Sequence, residues 1–142
     1  MNNIIKKNIE EWSKHPFCDD THKKLNHLKN DNARLTDAFY KNLEFGTGGM
    51  RGLMGIGTNR INKYTIGKNT QGISNFINRN FDKNKSVVIA HDCRHNSSEL
   101  AKVVADVFSA NSIKSFLFSD LRPTPELSYA VRKLNCICGI VI

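Results

Sequence analysis

Apolar residues recur at helical spacing from residue 3 to residue 43. Ile4, Ile5, Ile9 and Trp12 share one face of a first helix, and Pro16 with Cys18-Asp19-Asp20 ends that pattern. Asp20 or Thr21 is placed to cap a second helix through about Lys29. A third runs from Asn32 with Leu35, Ala38, Phe39 and Leu43 on one side, so residues 1–43 read as a helical N-terminal extension. The chain then becomes glycine-rich: six of its nine glycines fall between Phe45 and Asn62. Tyr64 to Asn80 is helical again, with Ile66, Ile73, Phe76 and Ile77 as its apolar side.

From Ser86 the pattern alternates. Val87-Val88-Ile89-Ala90 is a short, continuously apolar strand of the kind buried on both faces. Ser97 or Ser98 starts a helix carrying Leu100, Val103, Val104, Val107 and Phe108, which ends near Asn111. Phe116-Leu117-Phe118 is a second strand. Pro123 or Pro125 opens a helix through Leu134, with Thr124 as its cap, and Cys136 to Ile142 is a third strand. Strands alternating with helices predict βαβ units, an α/β fold with three αβα layers and a mixed, largely parallel sheet over residues 44–142. The chain stops inside a strand pattern, at the edge where open α/β sheets bind ligands, and so reads as a fragment of a longer protein.

Composition narrows the classes. The 142 residues contain no apolar run near the roughly 20 residues of a membrane span, which argues against a membrane partner. The N-terminus carries no secretory h-region, so a cytoplasmic location with four reduced cysteines is expected. Residues 1–85 hold 15 basic and 8 acidic side chains, against 6 and 5 in the remainder, and a basic half suits anionic partners. Nucleic acid and phosphorylated metabolites are both candidates, but the lysines are scattered, with no dense run and no interleaved aromatics to stack bases, so a generic solvated face is favoured over a nucleic-acid surface. Cys136-x-Cys138 has no second ligand pair at zinc spacing, and reads as two small buried hydrophobes.

Three segments have the make-up of sites. Gly46-Thr47-Gly48-Gly49-Met50-Arg51-Gly52 offers backbone that approaches a phosphate closely, with Arg51 as a bidentate fork. It lacks both the Walker A ending and the G-x-G-x-x-G pattern, and a hairpin that uses glycine only for its turns is the alternative. His91-Asp92-Cys93-Arg94-His95-Asn96 follows the buried strand at its C-terminal end. There Arg94 and His95 are candidates for phosphate contact, and Asp92 for an ion-pair partner that orients Arg94. Asp120-Leu121-Arg122-Pro123-Thr124-Pro125-Glu126 occupies the matching end of the next strand, where a rigid, structural turn is expected.

Leu43 to Gly52, Asn59-Arg60-Ile61-Asn62, Val88 to Ser97 and Leu121 to Leu127 together resemble the α-D-phosphohexomutase superfamily, in particular its long phosphoglucomutase/phosphopentomutase branch. The similarity covers nearly the whole chain in order, including a helical extension with a tryptophan. It implies the first of four domains, ending just before the loop whose serine carries the phosphoryl group, so no catalytic residue is expected in this chain. Thr47, Gly48 and Arg51 match the family's phosphate-contacting loop, and Arg94 and His95 match a loop shaping the same edge. His91 stands where a tyrosine is more usual and is assigned no role. The resemblance further implies interconversion of glucose 1-phosphate and glucose 6-phosphate, or of mannose or pentose phosphates. It also implies Mg2+ bound outside this chain, glucose 1,6-bisphosphate as primer, and the remaining domains of the parent as partners. A non-catalytic anion- or nucleic-acid-binding module is the alternative of another class.

Overall fold

The computed structural model describes residues 2–142, which form two compact units, one up to Thr65 and one from Ile66. The first unit opens with helices α1 (Asn3–Trp12), α2 (Asp19–Leu28) and α3 (Asn32–Phe39). Their apolar stripes meet in a core of Ile5, Trp12, Leu25, Leu35, Ala38 and Phe39. Trp12 is its hub: it stacks on Phe17 at 4.5 Å and meets Phe39 and Tyr64 edge-on at 5.6 and 5.5 Å. Asp31 caps α3 by accepting the Arg34 N–H at 3.0 Å. At α2 the cap position is Cys18, two or three residues before the expected Asp20 or Thr21.

The expected third helix is too long. It ends at Phe39, not Leu43, because tertiary bonds take over the backbone: Asn8 Nδ2 donates to Phe39 O at 2.9 Å and the Leu43 N–H to Thr58 O at 2.8 Å. The glycine-rich segment then makes a two-stranded antiparallel hairpin, β1 (Phe45–Gly46) with β2 (Gly49–Met50). Behind it, Asn62 organises the start of α4 (Lys63–Asn80). Its Oδ1 accepts the Tyr64 and Thr65 N–H groups at 3.0 Å each, while its Nδ2 donates to Gly55 O at 2.8 Å.

The second unit contains β3 (Ser86–Ala90), α5 (Ser97–Ala110), β4 (Lys114–Leu117), α6 (Thr124–Lys133) and β5 (Cys138–Val141). The strands form one sheet in the order β4-β3-β5, parallel throughout. Among the described residues the antiparallel pairing lies in the separate β1-β2 hairpin, and the three-stranded sheet is parallel. From β3 the chain steps one way to β4 and then back past β3 to β5, and right-handed crossovers in opposite directions put α5 and α6 on opposite faces. The result is an αβα layering. Val88 and Ala90 pack with Leu127 of α6, and by strand alternation Val87 and Ile89 face the other layer. All five residues of β3 are buried.

Three local expectations need correction. Strand β4 starts two residues before the expected Phe116 and ends at Leu117, and β5 occupies only the middle of the expected third strand. Helix α6 has Pro123, not Thr124, at its cap position, because proline's fixed φ suits the entry into the first turn. Phe76 is 60% exposed and leans on Phe81 with ring centroids 6.5 Å apart, leaving Ile66 and Ile77 as the buried residues of the α4 stripe.

Candidate functional site

The hairpin register pairs Phe45 with Met50 and Gly46 with Gly49, so Thr47 and Gly48 alone make the turn. Gly49 has φ +111°, a conformation that side chains disfavour. The guanidinium of Arg51 folds back over this turn, its Nη2 only 3.4 Å from where a Cβ on Gly48 would stand. A pocket of about 360 Å³ opens here, lined among others by Lys41, Glu44, Thr47, Gly48, Arg51 and Asn59. Arg51 enters no ion pair among the described residues, whereas Arg60, Arg94 and Arg122 each face a carboxylate. An unpaired planar fork beside a glycine turn is suited to an oxyanion.

The segment behind the pocket is stitched to the end of α3. Thr58 Oγ1 donates to Lys41 O at 2.6 Å, Asn59 N–H to Ala38 O at 3.0 Å, and Asn59 Nδ2 to Asp37 O at 3.1 Å. Arg60, with a side chain only 12% exposed, forms an ion pair with Asp37 through Nη2 and Oδ2. Lys41 and Asn59 thus join the pocket walls without a role foreseen in the sequence. Asn59 lies in a recognisable stretch, but nothing in the pattern distinguishes Lys41 from the other scattered lysines.

In the second unit, His91 to Asn96 leaves the C-terminal end of β3 and leads into α5. Asp92 organises this loop. Its Oδ1 accepts the Arg94 N–H at 2.9 Å and the Ser97 hydroxyl at 3.0 Å, and its Oδ2 accepts Arg94 Nε at 2.7 Å. The Arg94 N–H is the largest influence, and together with Ser97 and the Arg94 side chain it outweighs burial, the second largest, to hold the carboxyl below its ordinary range. Arg94 has a 73% exposed side chain and His95 is exposed at the same loop. Arg122 lies between Asp120 and Glu126, its Nε 3.2 Å from Glu126 Oε2, and its N–H donates to His91 O at 3.1 Å. That network ties the proline-bounded turn to the end of β3 and to the start of α6.

One thiol stands out. Cys18 is exposed, and its Sγ lies 3.3 Å from both Thr21 Oγ1 and Tyr64 Oη, with Lys63 Nζ at 3.6 Å. The Thr21 hydroxyl, the Tyr64 hydroxyl and the Thr21 N–H, with a contribution from the Lys63 charge, lower this thiol to about 6. Cys136 and Cys138 are half-buried, and burial pushes Cys138 upward. Among the described residues no group of three His, Cys, Asp or Glu side chains is placed to hold a metal ion, and no helix is long and apolar enough to cross a membrane.

A parallel sheet with helices on both faces, and a glycine hairpin with an arginine beside its pocket, define an α/β domain of the αβα class. Residues 42–142 match the model of the family described as phosphoglucomutase/phosphomannomutase, alpha/beta/alpha domain I, and the chain belongs to that family. It is 42% identical over 106 residues to a phosphoglucomutase of Staphylococcus aureus, an alignment covering 75% of this chain and 19% of that relative. It is also 42% identical over 104 residues to a phosphoglucomutase of Staphylococcus haemolyticus, covering 73% of this chain and 19% of the relative. The aligned segment therefore spans about a fifth of the curated relatives it matches. No solved structure matches the chain.

Proposed function

We propose that the chain is the N-terminal part of a cytoplasmic phosphoglucomutase-like enzyme, with a helical extension over residues 1–43 and an incomplete domain I over residues 44–142. The parent interconverts glucose 1-phosphate and glucose 6-phosphate through a phosphoserine and a bisphosphate intermediate. The observation that carries this reading is the pocket at Thr47, Gly48 and Arg51, where an arginine that pairs with no carboxylate among the described residues overlies a glycine turn. The kinship with phosphoglucomutases over most of the chain supports it. In this reading Arg51 forks onto a phosphoryl group, and the turn backbone contacts the same oxygens without a Cβ in the way. Arg94 and His95 supply polar groups at the sheet edge. Phosphoryl transfer depends chiefly on such positioning and charge stabilisation.

The described residues do not fit Mg2+, since no suitable trio of donors converges. Its ligands, the phosphoserine and the sugar-selecting loop are assigned to residues of the parent after Ile142, together with the contacts for glucose 1,6-bisphosphate. The 142-residue chain is accordingly expected to have no turnover. A coupled glucose 1-phosphate to glucose 6-phosphate assay, with Mg2+ and a bisphosphate primer, tests this on the chain and on one extended through all four domains. Activity is expected in the extended chain alone, reduced there by at least about a hundredfold in Arg51→Ala. Arg51→Lys is also expected to fail, because a point charge does not replace the fork. Turnover by the 142-residue chain, or near-normal turnover by Arg51→Ala, refutes the reading.

A further inference from the structure

We propose that Lys41 is a second phosphate-binding cation of the glycine-turn pocket, and that it selects a dianionic phosphoryl group over a monoanionic one. The inference rests on the reading of the Thr47-Gly48-Arg51 loop as a phosphate site and adds a residue to it. Three charged side chains line the pocket: Lys41, Glu44 and Arg51. None of them enters an ion pair among the described residues, although seven such pairs form elsewhere in the chain.

The charge balance makes Lys41 decisive. Glu44 offsets Arg51, so without Lys41 the lining is neutral; with it, the lining carries one net positive charge. A phosphate monoester is mostly a dianion at neutral pH, its second pKa being about 6. It therefore gains more from the extra cation than a phosphodiester, which keeps one charge. Position supports the assignment. Lys41 follows directly on the α3 cap residue Tyr40, and its carbonyl is pinned by Thr58 Oγ1 at 2.6 Å. Its backbone is thus fixed beside the pocket, while among the described residues its ammonium meets the face of the Tyr40 ring, 5.6 Å away, and no carboxylate. A cation–π contact of that kind at an exposed site is weak enough, about 0.5–1 kcal/mol, to be given up for a phosphate oxygen.

The test titrates the 142-residue chain with methyl phosphate and with dimethyl phosphate at neutral pH and constant ionic strength, reading amide shifts at Thr47, Gly48 and Gly49 by NMR. Lys41→Gln is expected to weaken methyl phosphate binding about tenfold and dimethyl phosphate less than about threefold. Lys41→Arg is expected to restore methyl phosphate binding to within about threefold. Unchanged methyl phosphate affinity in Lys41→Gln, with loss of binding in Arg51→Gln, removes Lys41 from the site while leaving the phosphate loop intact. Equal weakening of both ligands overturns the selection. Absence of methyl phosphate binding by the unmodified chain overturns the phosphate-loop reading and this inference with it.

Discussion

Replacing Gly57 with alanine probes how the segment behind the pocket is held. Gly57 is buried at φ +122°, and a Cβ built there stands 2.4 Å from Ala38 O and 2.9 Å from Ala38 Cβ. Two penalties follow from those numbers. A side-chain-bearing residue held in that region of backbone space costs about 1–3 kcal/mol. The overlap is with backbone, not with the end of a flexible chain, so relief requires moving the α3 terminus at a further cost of about 1–3 kcal/mol. The bonds at stake are the Asn59 N–H on that same Ala38 carbonyl at 3.0 Å and Asn62 Nδ2 on Gly57 O at 3.1 Å. Allowing for partial relaxation, Gly57→Ala is expected to lose about 3 kcal/mol in urea unfolding followed by circular dichroism. Gly72→Ala is the control. Gly72 lies exposed within α4 with nothing within 4 Å of its missing Cβ, and alanine there is expected to gain about 0.5–1 kcal/mol. A Gly57→Ala chain within about 0.5 kcal/mol of the original refutes the reasoning.

Two further outcomes follow from titrating groups. Cys18, lowered to about 6 by the hydroxyls of Thr21 and Tyr64, is expected to react with iodoacetamide with a midpoint near that pH, and Tyr64→Phe to move the midpoint upward; a midpoint in the ordinary thiol range of about 8.5 contradicts the geometry. The Asp92 carboxyl, held low first by the Arg94 N–H, is depressed in the folded state, so its contribution to stability is complete above the ordinary value of about 3.9 and fades as pH falls through the folded one. Asp92→Asn is expected to flatten that acid loss of stability, and an unchanged acid limb contradicts it.

Much of the fold is legible because its signals are local. Helix α1 is an uninterrupted amphipathic stripe, and β3 is a run of apolar residues too short for a helix and bounded by polar ones. The Thr47-Gly48 turn is the hairpin weighed as the alternative for this segment, legible because glycines cluster where a chain turns tightly. What escapes the sequence is decided at a distance. Helix α3 stops at Phe39 because Asn8, 31 residues away, claims its carbonyl. The Asp37–Arg60 pair joins residues 23 apart, with no periodicity to announce it. Lys41 reaches the pocket only because α3 ends early, so an error over one helix terminus concealed a wall of the site.

The strand order β4-β3-β5 has a consequence for how the chain is made. Val87 of the central strand finds its β4 partner at Ser115 but its β5 partner only at Cys138. On a ribosome adding about 5–20 residues per second, β3 emerges roughly fifty residues before β5, an interval of about 3–10 seconds. Throughout that interval one full edge of Val87-Val88-Ile89-Ala90 carries unpaired amides and carbonyls beside apolar side chains. The nascent protein therefore passes through a stage in which its most buried segment is its most adhesive one, and the speed of translation between Val87 and Cys138 sets how long that edge stays open.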